Sequence, residues 1–308
     1  RFQLGASNML TSSGTGHRPG ATMPLALRAE DLPSWVGRDA DLDVPWTRVP
    51  GGIDLRIVRG RSFDVISVSA SRASDLDEGS WRSLSHRVYE RLRDACAGRR
   101  PIRIWNHVPA ITASLRPGFD RYMAFNEGRH AVMSSWFGEA LEGILPTATG
   151  VGHDEPMLAV HALVGDVPCR SIENPRQRPA VRYSRRYGPR PPCFARAGML
   201  DVAGRRTLLV SGTASVRGED TVHEDDFEGQ VDETLANLRA LVVACDGRGD
   251  TLEAFDSLRV YCTARIGDPE LDHLRSVLPP CETEFVRADL CRPELMVEIE
   301  GVASWSLG

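Results

Sequence analysis

A segment near the middle of the chain restricts the fold more than any other feature of the sequence. Residues 173–192, ENPRQRPAVRYSRRYGPRPP, contain five prolines and six arginines. Because proline fixes φ and lacks an amide hydrogen, this segment cannot lie inside a helix or a central strand. We therefore expect a connector here, at the start of a C-terminal domain over residues 171–308. Residues 51–170 are expected to form an N-terminal domain, and residues 1–50 an extended arm.

Hydrophobic patterns before the connector predict a hairpin, a helix and a strand in that order. Residues 53–70 contain two β-branched, alternating segments separated by a turn, and residues 80–97 have apolar side chains at helical spacing. A strand is expected at 102–108, a second helix within 118–141 and a buried strand at 156–164.

The same order is predicted after the connector. Residues 194–216 have the pattern of a hairpin that turns near Ala203 and Gly204, and a helix is expected from 225 to Gly247. The remaining elements are strands at 258–265, 281–289 and 293–304 and a short helix at 268–278. Both halves thus repeat a ββαβ arrangement, although no repeat of individual residues is evident.

The charge pattern excludes several classes of function. The chain has 37 basic and 42 acidic residues, which give a net charge of −5, so it carries no general attraction for nucleic acids or anionic membranes. Every basic residue is arginine. Without lysine, neither a lysine Schiff base, as in pyridoxal phosphate enzymes, nor a lysine-containing Walker loop can form.

The cysteines and apolar segments give two further expectations. Seven cysteines occur without CxxC spacing or paired histidines, which predicts a reduced, cytoplasmic protein without a structural zinc site. No apolar run reaches the roughly 18 residues of a membrane span.

The connector is the first candidate binding element. Arg182, Arg185, Arg186, Arg190 and Arg196 follow one another closely, among tyrosines and prolines. Guanidinium groups on a stiff backbone suit a ligand with two carboxylates. The alternative is a surface loop whose arginines pair with the protein's own acids.

The C-terminal strands contain the other candidates. In SGTAS, Gly212 allows close approach of the backbone and Thr213 offers a hydroxyl, although this is also ordinary turn chemistry. Glu298 is expected on the same strand face as Glu300, and a carboxyl group buried there would have a raised pKa suited to proton donation. Cys291 is interpretable as a buried apolar residue or as a reactive thiol.

Several segments together resemble the chorismatase family. They are IWNHVP (104–109), DRYMAFNEGRH (120–130), the connector through residue 197, VSGTAS (210–215), QVDETLANL (230–238) and VEIEG (297–301). The C-terminal segments also resemble the wider RidA/YjgF superfamily. The resemblance implies an α+β fold of two RidA/YjgF-like, chorismate mutase-like mixed sheets, each with helices packed on one face.

The resemblance also implies an activity, namely cleavage of chorismate with release of pyruvate, without metal or organic cofactor. Glu298 would be the acid that protonates the enolpyruvyl ether. Gly212 and Cys291 match the branch of the family that forms 3-hydroxybenzoate, in which Cys291 would assist aromatisation. The expected substrate-binding residues are Tyr122, Arg129, Tyr187, Arg190, Arg196, Gly212 and Thr213.

Alternatives to this assignment stay open at the level of sequence. They are a hydrolytic chorismatase that forms a dihydroxycyclohexadiene carboxylate, a RidA-like imine deaminase and a non-catalytic module that binds small acids. The deaminase is disfavoured because the segment PPCETEF stands where that superfamily has a carboxylate-binding arginine. RidA relatives are trimers, but two related halves in one chain lead us to expect a monomer, with a trimer as the alternative.

Overall fold

The structure is a computed structural model and describes residues 36–37, 40–202, 204–246 and 251–307. Within these residues the helices are α1 Glu78–Ala95, α2 Arg121–Phe137, α3 Phe227–Asp246 and α4 Asp268–Val277. The strands of the first half are β1 Thr47–Val49, β2 Ile53–Val58, β3 Phe63–Ser71, β4 Arg100–Pro109, β5 Ser114–Arg116, β6 Phe119–Asp120, β7 Thr147–His153 and β8 Met157–Gly165. Those of the second half are β9 Cys169–Ile172, β10 Ala197–Val202, β11 Arg205–Ala214, β12 Val216–Arg217, β13 Asp220–Thr221, β14 Phe255–Cys262, β15 Glu282–Arg287 and β16 Val297–Ser306.

Two mixed sheets of six strands form the framework. The first has the order β1-β2-β3-β8-β4-β7 and the second the order β15-β14-β16-β11-β10-β9. In each sheet one neighbouring pair is parallel, β4 with β7 and β14 with β15, and the other pairs are antiparallel. The α+β class with two mixed sheets is confirmed.

The two halves share one topology. In each, a hairpin leads into a helix, a strand, a second helix, a strand parallel to the previous one, and a last strand inserted beside the hairpin. The strand order β2-β3-β8-β4-β7 in the first sheet therefore corresponds strand by strand to the order β10-β11-β16-β14-β15 in the second. The ββαβ repeat expected from sequence extends to ββαβαββ.

Helices cover the outer face of each sheet. On α1 the buried face includes Trp81, Val88 and Leu92, which pack in one core with residues of β3, β4 and α2. Asp77 caps α1 by accepting a hydrogen bond of 2.8 Å from the Ser80 amide. At Gly128 a Cβ would lie 2.6 Å from the Arg82 carbonyl oxygen, so glycine lets α2 approach α1 closely.

The inner faces of the two sheets pack against each other. An apolar cluster there contains Val65, Trp105 and Leu163 from the first half and Leu209 from the second. Beside this cluster lies a buried ion pair: Arg103 Nη2 on β4 is 2.7 Å from Glu300 Oε2 on β16. The structure thus has four layers, with helices outside and sheets inside.

The Glu300 carboxylate is the centre of a hydrogen-bonded network between the sheets. Thr149 Oγ1 donates to Oε2 over 2.5 Å, and Trp105 Nε1 donates to Oε1 over 3.0 Å. Arg103 also donates to Thr149 Oγ1 over 2.5 Å. Since the Arg103 and Glu300 side chains are only 3% and 2% exposed, their charges depend on each other and not on water.

Some elements differ from the sequence-based expectation. The second predicted helix ends at Phe137 and continues as a 3₁₀ turn, because Gly138 adopts φ 56°. Within the expected arm, Thr47–Val49 pairs with β2 as an edge strand. Strands β7 and β9 were not predicted. Ala203 and Gly247, the predicted hairpin turn and helix end, and residues 1–35 lie outside the described residues.

The helices of the described residues also bear on the membrane expectation. In that part of the chain, none is both long enough and apolar enough to cross a membrane.

Replacing Arg103 by Met should leave the Glu300 carboxylate buried without its cation. We expect the free energy of unfolding to fall by about 3–5 kcal/mol, measured by denaturant titration. The matched control is Arg182→Met, because the pair of Arg182 with Glu142 is 61% and 53% exposed and should contribute much less to stability. Equal losses of unfolding free energy in the two variants would show that the buried Arg103–Glu300 pair contributes no more to stability than an exposed pair.

Candidate active site

A cavity of about 230 Å³ lies where the two halves meet. The N-terminal half contributes the start of α2, and the C-terminal half contributes the connector, the end of β11, the loop before β16, and β16 itself. Its lining includes Asp120, Tyr122, Met123, Gln177, Tyr183, Arg186, Tyr187, Phe194, Arg196, Gly212, Ala214, Cys291, Arg292, Glu294 and Glu298.

Glu298 lies in the middle of the second sheet and points to this cavity. Its strand, β16, runs between β11 and β14, where Glu298 is opposite Ala214 on one side and Tyr261 on the other. Glu298 is only 4% exposed. Alternation along β16 places Glu298 and Glu300 on the same face, as expected from sequence, whereas Ile299 packs into the core beneath α3.

A β-bulge in β11 makes room for the Glu298 carboxyl group. The register of β11 against β16 shifts between Val210 and Thr213, which places Gly212 beside the Glu298 side chain. A Cβ at Gly212 would overlap Glu298 Oε1 and lie 2.8 Å from Cδ. Any larger residue here would therefore displace the Glu298 side chain, whereas the backbone angles of Gly212 do not themselves call for glycine.

Hydrogen bonds to the first sheet hold the bulge in place. The Gly212 amide donates to Thr149 Oγ1 over 3.0 Å. Ser211 Oγ donates to the Ala195 carbonyl over 2.6 Å and accepts from the Ala148 amide over 2.9 Å. Thr149 and Ala148 lie on β7, so the position of the bulge is fixed by the opposite half of the molecule.

The surroundings of Glu298 favour its protonated form. Burial, the largest cause, and the negative charge of Glu300 raise the pKa of the Glu298 carboxyl to about 8, although Arg103, Arg196 and Arg292 act in the opposite direction. Among the described residues, no side chain donates a hydrogen bond to this carboxyl group. Near neutral pH it is therefore mainly a carboxylic acid that can give a proton.

Two buried guanidinium groups line the same cavity. Arg196 is 5% exposed and Arg292 is 9% exposed. Arg196 Nη2 donates to Tyr183 Oη over 2.6 Å and to the Arg178 carbonyl over 3.0 Å, and Arg292 Nη1 donates to Thr221 Oγ1 over 3.1 Å. Neither forms an ion pair with an acid in the described part of the chain. Unpaired buried cations are unfavourable, so the cavity suits an anionic ligand.

Tyrosine rings hold these two arginines in position. The Arg292 guanidinium carbon lies 3.9 Å from the ring centroid of Tyr187, and that of Arg196 lies 5.5 Å from the centroid of Tyr183. Arg292 is also 5.5 Å from the Tyr183 centroid. The two connector tyrosines thus form a common support for both cations.

Ion pairs hold much of the connector in place. This agrees with the alternative interpretation from sequence, in which the connector arginines pair with the protein's own acids. Arg176 pairs with the buried Glu233 on α3 at 2.7 Å, and Arg182 pairs with Glu142 at 2.6 Å. Two further pairs are Arg178 with Glu219 and Arg186 with Asp220. Most connector arginines therefore stabilise the loop, and the ligand-facing charge comes mainly from Arg196 and Arg292.

Cys291 and Tyr122 lie on the cavity wall in neutral form. Burial raises the pKa of the Cys291 thiol to about 12, with a further contribution from Glu298. Burial likewise raises the pKa of the Tyr122 hydroxyl, and Cys291 adds to the effect. Near neutral pH neither group is an anion, so Cys291 is a thiol and not a thiolate that could act as a base.

The structure brings together six of the nine residues proposed from sequence, namely Glu298, Cys291, Tyr122, Tyr187, Arg196 and Gly212. The other three, Arg129, Arg190 and Thr213, do not line the cavity. Arg129 is buried beside Tyr89 and donates to the Cys193 carbonyl, which anchors the end of the connector. Thr213 Oγ1 donates to the Ser211 carbonyl over 2.8 Å, and Arg190 lines a neighbouring groove.

Sequence reasoning missed Arg292. It follows Cys291 directly, and that neighbourhood was the only signal that could have found it. Gln177, Tyr183 and Asp120 were also missed as lining residues. Asp120 caps α2 by accepting a hydrogen bond of 2.8 Å from the Met123 amide, and burial raises its pKa.

Comparison with known proteins agrees with this geometry. Residues 54–164 match the model of the N-terminal domain of FkbO/Hyg5-like chorismatases. A 3-hydroxybenzoate synthase of Streptomyces hygroscopicus is 35% identical over 218 residues, which cover 65% of this chain and 62% of that protein. In its N-terminal half the chain is therefore similar to the chorismatase family.

Two further relatives extend the match. A chorismatase from the same species is 33% identical over 215 residues, covering 66% of this chain and 61% of that protein. A crystal structure of a chorismatase superposes with a TM-score of 0.69 at 29% identity, covering 84% of this chain and 79% of the other. The aligned part of this chain spans about three fifths of the length of each of the two curated relatives from Streptomyces hygroscopicus.

Gly212→Ala should disturb the Glu298 carboxyl group more than the fold around it. Because the added Cβ overlaps Glu298 Oε1, we expect the free energy of unfolding to fall by about 1–3 kcal/mol as the two side chains move apart. Gly143→Ala is the control, since no atom lies within 4 Å of its added Cβ, and it should change stability by less than about 0.5 kcal/mol. Denaturant titration of both variants checks this, and equal changes would contradict it.

Proposed function

We propose that this protein cleaves chorismate to pyruvate and 3-hydroxybenzoate. The observation that carries the proposal is the combination in one cavity of a buried carboxyl group with a raised pKa and two buried arginines without acidic partners. Chorismate has two carboxylates and an enol ether that must be protonated, so it requires both features. The name of the relative described as a 3-hydroxybenzoate synthase supports the same product.

The two arginines suit the two carboxylates of this substrate. A guanidinium group binds a carboxylate through paired hydrogen bonds, which fixes orientation as well as charge. The Nε of Arg196 is buried without a hydrogen-bond partner in the described part of the chain, so a donor is left for a ligand. We assign Arg196 and Arg292 to carboxylate binding, with Tyr187 positioning Arg292.

Glu298 is the proton donor in this proposal. Its carboxyl group transfers a proton to the terminal methylene carbon of the enolpyruvyl ether, which leaves a positive centre at the ether carbon. The bond between the ring and the ether oxygen then breaks, its electron pair goes to that oxygen, and pyruvate leaves. Every atom of pyruvate comes from the enolpyruvyl group, so no water is consumed.

The ring completes the reaction without an external nucleophile. The neighbouring 4-hydroxyl oxygen attacks the ring carbon from which the ether departs and loses its proton, which forms an epoxide across these two carbons. The bond from this oxygen to C4 then breaks, the oxygen keeps the electron pair and takes up a proton, and loss of the hydrogen at C3 as a proton restores aromaticity. The Glu298 carboxylate takes back one proton and is ready for the next cycle. Cys291, which is protonated near neutral pH, can assist only by giving and receiving a proton in the same step.

The packing within the chain supports a monomer. Both sheets bury their inner faces against each other inside one chain, and the cavity takes residues from both halves. We propose that the units built on strands β1 to β8 and β9 to β16 correspond to the two domains.

Glu298→Gln should abolish most of the activity, because glutamine fills the same space but cannot give a proton. We expect kcat to fall by about 10²- to 10⁴-fold, measured as pyruvate formed from chorismate by coupling to lactate dehydrogenase. In the unsubstituted protein kcat should fall as the pH rises through about 8, since the acid form is lost above the pKa of Glu298. Chromatography of the aromatic product identifies the branch.

Two outcomes would argue against this proposal. Full activity of Glu298→Gln would exclude the carboxyl group as the acid. A dihydroxycyclohexadiene carboxylate as the sole product would assign the protein to the hydrolytic branch, in which water replaces the internal hydroxyl group.

Arg196→Met and Arg292→Met should each raise KM for chorismate. Loss of one charged hydrogen-bonding group removes about 1.5–3 kcal/mol of binding, which corresponds to a rise of roughly 10- to 150-fold. Arg182→Met is the matched control, because it removes the same charge from a connector residue that pairs with Glu142 outside the cavity. Steady-state kinetics measures all three, and an unchanged KM in a cavity variant rejects that residue as a ligand of the substrate.

A further inference from the structure

A second and larger depression lies beside the cavity. This groove of about 560 Å³ runs between the β5–β6 hairpin, α2 and the tip of the connector. We call it the arginine groove, and its lining includes Arg116, Met123, Glu127, Arg185, Gly188 and Arg190. The proposed function and the cavity chemistry above leave it without a role.

The arginine groove contains two cations without acidic partners. Arg116 pairs with Glu78 at 2.8 Å, and Glu127, the acid in the lining, pairs with Arg82 at 2.6 Å. Arg185 and Arg190 form neither an ion pair nor a side-chain hydrogen bond within the described part of the chain. The groove therefore carries an excess of about two positive charges.

This excess is unusual for the connector. Arg176, Arg178, Arg182 and Arg186 all pair with acids. The whole chain has more acids than arginines, with a net charge of −5. A local pair of unpaired guanidinium groups in such a chain concentrates positive potential at one place, which attracts anions from solution.

The position of the groove links it to the cavity. Met123, on the first turn of α2, lines both the groove and the cavity that contains Glu298. Gly188 of the connector adopts φ 115° and lies against this side chain, since a Cβ there would be 3.1 Å from Met123 Cγ. Methionine is unbranched and flexible, so the boundary between groove and cavity is a side chain that can change rotamer.

We propose that the arginine groove captures the dicarboxylate substrate and delivers it past Met123 into the cavity. This proposal rests on the proposed function, because it assumes that the substrate is an anion of that class. Arg185 and Arg190 are exposed, so their attraction is long-range and screened by salt. Such a site speeds association without holding the ligand strongly, and Arg196 and Arg292 then bind it in the interior.

The experiment measures association of chorismate with a protein that binds but does not convert it. Glu298→Gln provides this background, and stopped-flow tryptophan fluorescence gives the association and dissociation rate constants. Adding Arg185→Gln and Arg190→Gln should lower the association rate constant about 3- to 10-fold at low ionic strength. The difference should disappear at about 0.5 M salt, with the dissociation rate constant unchanged.

The matched control adds Arg91→Gln and Arg93→Gln to the same background. It removes the same two charges, but from α1, where both arginines pair with Asp94. An equal decrease in this control would overturn the proposal in favour of a general charge effect, and unchanged association in the groove variant would overturn it directly. If the folded Glu298→Gln protein binds no chorismate at all, the proposed function fails, and the capture site fails with it.

Discussion

The buried ion pair between Arg103 and Glu300 joins the two halves and places a negative charge near Glu298, the acid that we propose. Arg103 Nη2 lies 2.7 Å from Glu300 Oε2, so the two opposite charges lie together inside the protein. That fixed negative charge lies two residues from Glu298 on the same strand face and opposes a second ionisation. Thr149 connects the pair to the Gly212 amide, so the same contacts also position the bulge beside Glu298.

The duplicated topology explains why the site needs both halves. Strands β8 and β16 occupy equivalent places in the two sheets, but only β16 carries acids toward the cavity. On β8, His161 lies on the same strand face as Leu163 of the cluster between the sheets. It is hydrogen-bonded to Ser67, and burial lowers its pKa to about 4. It is therefore neutral. The first half, through β7 and α2, holds parts of the cavity wall in position, while the second half contributes Glu298, the proton donor that we propose.

Sequence reasoning was most accurate where a single element determines the outcome. The alternation of β16 placed Glu298 and Glu300 on one face, and helical spacing found α1 and α3 within a few residues. It failed for β7, TATGVGH, because small residues, threonine and glycine give no clear hydrophobic alternation. The cavity or groove that the Arg190 and Arg292 side chains line depends on loop conformation and on tertiary contacts with tyrosines. The spacing of residues along the chain gives no information on either.

The charge state of Glu298 bears on whether the cavity can accept the proposed dicarboxylate substrate. An ionised Glu298 would add a third negative charge beside two carboxylates, against Arg196 and Arg292 on the cavity wall, since Arg186, which also lines the cavity, is paired with Asp220. In a site of low dielectric this repulsion is strong. The protonated form removes it and is also the form that we propose as the proton donor. In this proposal burial and the Glu300 charge act on binding and on catalysis in the same direction, so a rise in pH through about 8 should weaken both.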